Sequence, residues 1–177
     1  LSETSKIHKE NATPARGLLI ITCSTSRFQS RCSGKEAPDP SGDLIEAKMR
    51  EFGHRVIGRS LIPDDPRIIR ATILEALRNP DVDSIIITGG TGISKDDVVI
   101  EVAEGIFDKR LPGFGEIFRR ISYDEIGSSA VLSRATAGVA WGKPIFCLPG
   151  SPDAVRRSLE KIILPELPHI LKHVKGG

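Results

Sequence analysis

The pentapeptide Thr88-Gly89-Gly90-Thr91-Gly92 follows directly on the apolar run Ser84-Ile85-Ile86-Ile87. This junction constrains the fold more than any other part of the chain. A short β-branched run bounded by glycine reads as a buried strand. Glycine adopts positive φ and has no Cβ to hold a ligand away, so the glycine cluster can turn its bare N–H groups onto an anion. A helix-like segment from about Asp97 would add its positive dipole end. The junction therefore reads as a phosphate-handling loop, with a purely structural glycine turn as the alternative.

The same rhythm of strand, turn and helix recurs along the chain. Gly17 to Cys23 is a continuous apolar run, hence a buried strand, and Ser24 to Pro40 reads as a long polar loop. Ser41 opens a helix with Leu44, Ile45, Met49 and Phe52 as its apolar stripe and Gly53 as its stop. His54 to Ile62 is a second strand, broken by Pro63-Asp64-Asp65-Pro66. A helix follows with Ile68, Ile69, Ile73, Leu74 and Leu77 on one face, ending near Asn79-Pro80. After the glycine loop the pattern predicts a helix from about Asp97 to Phe107, a turn at Pro112 to Gly115 and a short helix from Glu116 to Ile121. Tyr123 to Arg134 reads as further short helix or loop. Ala137 to Ala140 and Pro144 to Leu148 form a hairpin through Trp141-Gly142-Lys143, and two helices follow, Ser151 to Ile163 and Pro165 to Val174. Such alternation predicts a three-layer α/β/α domain with a mostly parallel sheet and a C-terminal hairpin-like antiparallel strand. Residues 1–16 are expected to be a flexible tail and residues 17–177 a single domain. Ligands of these sheets bind beyond the carboxyl ends of the strands. That rule gathers Ser24–Arg27, Pro63–Asp65, Gly89–Asp97 and Pro149–Ser151 on one edge.

Composition excludes several classes. The net charge of +2 over 177 residues is far from the concentrated basic surface of a nucleic-acid binder. No apolar stretch approaches the roughly 20 residues of a membrane helix, so no membrane association is expected. Cys23, Cys32 and Cys147 form no metal-ligand spacing and no disulfide framework. Two of them lie in apolar runs, which points to buried free thiols and a cytoplasmic location.

The glycine loop fits no common nucleotide fingerprint. It lacks the GxxxxGK[ST] of a P-loop, and Lys95 stands where a dinucleotide loop needs its third glycine. Asp97, with Ser94, resembles a capping box. It also places a carboxylate beside an anion-binding loop, an arrangement that calls for a divalent cation or a proton between them. Asp65 has the structural task of capping a helix that starts at Pro66. Asp64 has no such task, and at its strand end it suits metal or general-base work. Pro149-Gly150-Ser151 repeats the strand–glycine–helix theme, with Ser151 as an N-cap or a second polar corner. Arg27 and Arg31 lie on the first loop within reach of the shared edge. The four histidines have no catalytic or metal spacing.

Taken together, Ile62-Pro63-Asp64-Asp65, Thr88 to Gly92 with Asp97, Pro112-Gly113-Phe114-Gly115-Glu116, Leu132-Ser133-Arg134 and Leu148-Pro149-Gly150-Ser151-Pro152 resemble the MoaB/MogA family of molybdenum-cofactor biosynthesis proteins. The Ser133-Arg134-Ala135-Thr136-Ala137-Gly138-Val139 stretch is more similar to MoaB than to MogA. The resemblance implies a molybdopterin adenylyltransferase that joins AMP from ATP to the terminal phosphate of molybdopterin and releases pyrophosphate, with Mg2+. It implies Asp64 and Asp97 as catalytic and magnesium-binding residues. Phosphate would be held by Gly89, Gly90, Thr91 and Gly92, and Arg27, Glu116, Ser133, Pro149, Gly150 and Ser151 would line the substrate region. It also implies a trimer or hexamer and a metal-insertion partner protein. Many relatives carry an acid where this chain has Ser26, so a role for position 26 is not implied, while Arg27 stays available. A non-catalytic molybdopterin-binding or carrier protein is the first alternative. A nucleotide-pyrophosphate hydrolase on a related domain, as in CinA-type proteins, is the second.

Overall fold

The computed structural model describes residues 14–176. A six-stranded sheet runs in the order β2-β1-β3-β6-β5-β4. Its strands are β1 (Leu18–Cys23), β2 (Val56–Ile62), β3 (Ser84–Thr88), β4 (Lys109–Arg110), β5 (Thr136–Ala140) and β6 (Lys143–Leu148). β2, β1, β3 and β6 are parallel neighbours, and β5 and β4 continue the sheet antiparallel. The expected α/β/α architecture is thus present, with β4 as an added two-residue edge strand.

Register explains the two cores. Ile20, Ile86, Phe146 and Ala137 stand abreast across four strands and belong to one buried cluster. Their immediate successors Ile21, Ile87 and Cys147 face the other cluster. Adjacent residues of a strand point to opposite faces, so a run with no polar member requires cover on both sides. The first face is covered by α2 (Pro40–Glu51), α5 (Pro112–Ile126) and α6 (Pro152–Ser158), and by α7 (Leu164–Val174), through residues such as Ile45, Met49, Phe118, Val155 and Leu167. The second is covered by α3 (Pro66–Arg78) and α4 (Val99–Glu104), through Ile69, Ile73, Leu77, Val99 and Ala103.

Several local expectations are corrected. Ser24–Pro40 is not a continuous loop, because α1 (Thr25–Cys32) occupies its first half. This helix is capped by Ser24 and buries no residue, so it left no apolar periodicity to read. Phe52 and Ile68, expected in buried stripes, are exposed. The segment after the glycine loop is helical only from Val99 to Glu104, too short to bring a substantial dipole to bear on the loop. Conversely, Pro112 is the first residue of the 15-residue α5, followed by a 3-10 turn over Gly127–Leu132. The two expected C-terminal helices form one continuous rod. A π-turn over Leu159–Ile163 joins them, where the Leu164 N–H donates to Leu159 O. Pro165 and Pro168 follow, with no N–H to donate to the preceding turn.

Of the expected tail, residues 1–13 lie outside the described residues. Ala15 is buried, and its N–H donates to Nδ1 of the buried His54 at 3.0 Å. Packed structure therefore extends at least to that position. The hairpin turns at Trp141 (φ 52°) and Gly142 (φ 72°). Positive φ at both central residues is the two-residue turn whose twist matches paired strands.

Candidate functional site

Strands β1, β2, β3 and β6 all end at one edge of the sheet. The chain leaves β1 toward α1 and crosses to β2 on one side, while β3 lies on the other. The crevice between the ends of β1 and β3 is the switch point where such sheets bind ligands.

The end of β2 is tied to the start of α1. Asp64 Oδ2 accepts hydrogen bonds from the Thr25 N–H and the Thr25 hydroxyl, both at 2.8 Å. The same hydroxyl accepts from the Asp64 N–H at 2.9 Å. Asp64 Oδ1 is buried and has no partner among the described residues.

The glycine loop fits between neighbours that leave no room for a side chain. Gly89 and Gly90 have φ of +92° and +60°. A Cβ on Gly89 would lie 2.2 Å from the Cys23 carbonyl oxygen, and one on Gly90 would lie 2.8 Å from Asp64 Oδ1. A Cβ on Gly92 would meet Asp97 Oδ2 at 2.6 Å. The loop is therefore flanked by the two acids, each pressed against a glycine.

Asp97 does not cap a helix, since α4 starts two residues later. Its Oδ2 closes a turn by accepting from the Ser94 N–H (2.9 Å) and hydroxyl (2.7 Å). Burial raises its pKa, but the Ser94 and Gly92 hydrogen bonds and the charge of Arg134 outweigh burial. The net effect holds the carboxyl below the usual carboxylate range.

Arg134 clamps this loop. Its Nε donates to Thr91 O (2.9 Å), its Nη2 to Asp97 O (3.4 Å) and its Nη1 to Glu101 Oε1 (2.6 Å). On the β6 side, Thr88 Oγ1 donates to Pro149 O (2.9 Å) and Ser41 Oγ to Gly150 O (2.7 Å). Ser151 caps α6 by accepting from the Ala154 N–H.

These groups line one open cleft of about 540 Å3, within the range of small-molecule sites. The cleft brings together Arg27, Asp64, Gly89, Gly90, Thr91, Gly92, Asp97, Ser133, Pro149, Gly150 and Ser151. Arg27 also donates from Nε to Pro38 O. Glu116 stands apart, exposed near the N-terminal end of α5 and absent from the lining of this cleft. Arg31 and the exposed Asp96 do not line it either.

Thr25, Arg134 and Arg157 were given no role by the sequence reading, although Thr25 lay in the edge segment Ser24–Arg27 and Arg134 in the motif Leu132-Ser133-Arg134. Thr25 sat in a stretch read as loop. Arg134 works through carbonyls some 40 residues earlier in the chain, which no local pattern announces. Arg157 did leave a signal, because it falls three residues after the buried Ala154 and so on the inward face of α6.

The chain matches the family described as "Probable molybdopterin binding domain" over residues 19–169. It is 43% identical over 164 residues to molybdenum cofactor biosynthesis protein B of Bacillus cereus, covering 92% of this chain and 93% of that protein. It is 39% identical over 172 residues to the molybdopterin adenylyltransferase of Pyrococcus furiosus, covering 95% and 96%. Among solved structures, a molybdenum cofactor biosynthesis protein B superposes with a TM-score of 0.86 at 41% identity, covering 94% of this chain and 99% of that one. The tungsten cofactor synthesizing protein MoaB from Pyrococcus furiosus superposes with a TM-score of 0.80 at 38% identity, covering 93% and 99%. With a switch-point cleft, a two-acid glycine loop and near full-length similarity in hand, we place the chain in the molybdopterin-binding domain family, among the MoaB proteins.

Proposed function

We propose that this protein is a molybdopterin adenylyltransferase of molybdenum cofactor biosynthesis. A phosphate oxygen of molybdopterin attacks the α-phosphorus of ATP. The new P–O bond forms as the bond to the β-phosphate breaks, giving adenylylated molybdopterin and pyrophosphate. The observation that carries this reading is the glycine loop held between Asp64 and Asp97 in one cleft, in a chain 39% identical to a named molybdopterin adenylyltransferase.

Bringing two phosphorylated molecules together gathers several negative charges, so the work of the protein is positioning and charge stabilisation. Loop amides from Gly89 to Gly92 serve as donors to phosphate oxygens. Arg27, Ser133 and the Pro149–Ser151 corner border the rest of the substrate, and Glu116, outside the cleft lining, is assigned no contact with it. Asp64 and Asp97 suit Mg2+: both offer hard oxygen donors, Asp64 Oδ1 is buried without a partner among the described residues, and Asp97 stays ionised. Among the described residues no set of three or more His, Cys, Asp or Glu side chains converges on a metal. Magnesium bound by one or two carboxylates and completed by substrate phosphates and water needs no more than this pair. When bound, Mg2+ would neutralise phosphate charge. We place the reaction in the cytoplasm, in keeping with the free thiols of Cys23, Cys32 and Cys147, and in a trimer or hexamer. Exposure of Val131, Leu132 and Ile126 near the cleft supports contact between copies. The product would pass to a metal-insertion protein.

The test is pyrophosphate release from Mg-ATP with and without molybdopterin. Release that requires molybdopterin supports the reading. Tight pterin binding with no release would make the protein a carrier, and hydrolysis of ADP-ribose without pterin would make it a pyrophosphatase.

A further inference from the structure

Arg157 has no part in the scheme above, yet its placement is unusual for a surface arginine. It lies in the last turn of α6, its side chain is only 13% exposed, and it lines the same cleft as the glycine loop. Its Nη1 donates to Glu125 Oε2 at 2.7 Å. Its Nε is buried with no partner among the described residues. A guanidinium N–H withdrawn from water without an acceptor is costly, and native structures keep few such groups.

The guanidinium is a planar fork, and the edge formed by Nε and Nη2 matches two oxygens of one phosphate. Glu125 occupies a different nitrogen and is itself about half exposed. The ion pair therefore orients the fork and leaves Nε, on the edge it shares with Nη2, without an acceptor among the described residues. Arg157 also differs from the other two arginines of the cleft, Arg27 and Arg134, whose Nε atoms are each already committed to a backbone carbonyl.

We infer that Arg157 is a second anion-reading position in the cleft, which binds a phosphate group of a substrate in addition to the phosphate held at the glycine loop. Only the identity of the substrates rests on the adenylyltransferase reading. The phosphate is that of molybdopterin or one of the nucleotide's.

Calorimetric titration with inorganic pyrophosphate, in the absence of metal, tests the binding role directly. Arg157→Gln is expected to weaken binding by about tenfold or more, as loss of charge-assisted hydrogen bonds requires. Glu125→Gln breaks the same ion pair but keeps the fork, so affinity is expected to hold or rise. Equal weakening in both variants would make the pair a structural tie, and unchanged affinity in Arg157→Gln would overturn the proposal outright. Should Arg157→Gln fail to fold, Arg157→Lys replaces it: the charge stays but the fork is lost, and unchanged affinity for pyrophosphate again overturns the inference. Steady-state kinetics then separate the sources. A raised KM for ATP alone assigns the nucleotide phosphate, and a raised KM for molybdopterin alone assigns the pterin phosphate. A wild type that binds pyrophosphate but releases none from Mg-ATP and molybdopterin would end the adenylyltransferase reading while the titration still decides Arg157.

Discussion

Asp64→Asn separates the charge of this residue from its place in the fold. The side-chain oxygen of asparagine can still accept both hydrogen bonds from Thr25, now without the negative charge. Charge-assisted bonds contribute roughly 1.5–3 kcal/mol and neutral ones roughly 0.5–1.5, so the pair loses about 2 kcal/mol. Against this, the buried and unpartnered Oδ1 gives way to an uncharged amide nitrogen, which relieves part of a burial penalty of about 1–3 kcal/mol. The two changes nearly cancel. At about 2–4 °C per kcal/mol for a chain of this size, Tm should move by less than about 5 °C. Turnover should respond very differently. Removing one preorganised electrostatic group from a phosphoryl site costs about 10²–10³-fold in kcat. Pyrophosphate release under saturating Mg-ATP and molybdopterin, alongside differential scanning calorimetry, measures both. A variant that keeps kcat within about threefold of wild type would show that the charge is not used. A fall in Tm above about 10 °C with a proportionate loss of folded enzyme would make Asp64 a structural residue instead.

Gly89→Ala should cost about 4 kcal/mol or more, because φ is +92° and the new Cβ would lie 2.2 Å from the Cys23 carbonyl oxygen. Gly113→Ala, at a position with open space, should be neutral or stabilising by up to about 1 kcal/mol; urea titration compares the two. Arg134→Ala should cost about 1–3 kcal/mol and speed amide exchange over residues 89–98, since the loop loses its tie to Thr91 O and Asp97 O. Unchanged exchange would refute the clamp. Burial lowers the pKa of His54, so the folded state binds this proton less readily than the unfolded chain. Its contribution to stability is complete above the ordinary histidine value of about 6.5 and is lost as pH falls below it. Tm measured across that window should fall less steeply in His54→Gln than in wild type.

The parallel core was legible because strands buried on both faces have no charged member, and the runs at 17–23, 84–88 and 144–148 meet that condition. The edge that carries the site followed from topology. Asp64 was distinguishable from Asp65 because only the latter had a capping task, and Asp65 does accept from the Arg67 and Ile68 N–H groups. What escaped were elements that bury nothing or act at a distance. Helix α1 buries no residue, so its sequence reads like loop. The extent of α5 was masked by Pro112 and two early glycines, which read as a turn although Pro suits the first position of a helix. Ser94 and Asp97 matched a capping pattern, yet they close a turn ahead of the helix, because the same side-chain chemistry satisfies either geometry.

The reciprocal bonds between Thr25 and Asp64 have a further consequence. One hydroxyl both receives a proton from the Asp64 backbone and gives its own to the Asp64 carboxylate, so main chain and side chain are fixed by a single atom before any ligand arrives. The ordering entropy of that carboxylate is thereby spent at folding rather than at each encounter with a ligand. Serine at position 25 should preserve this rigidity, whereas valine, matched in shape but lacking the hydroxyl, should leave the acid free to rotate.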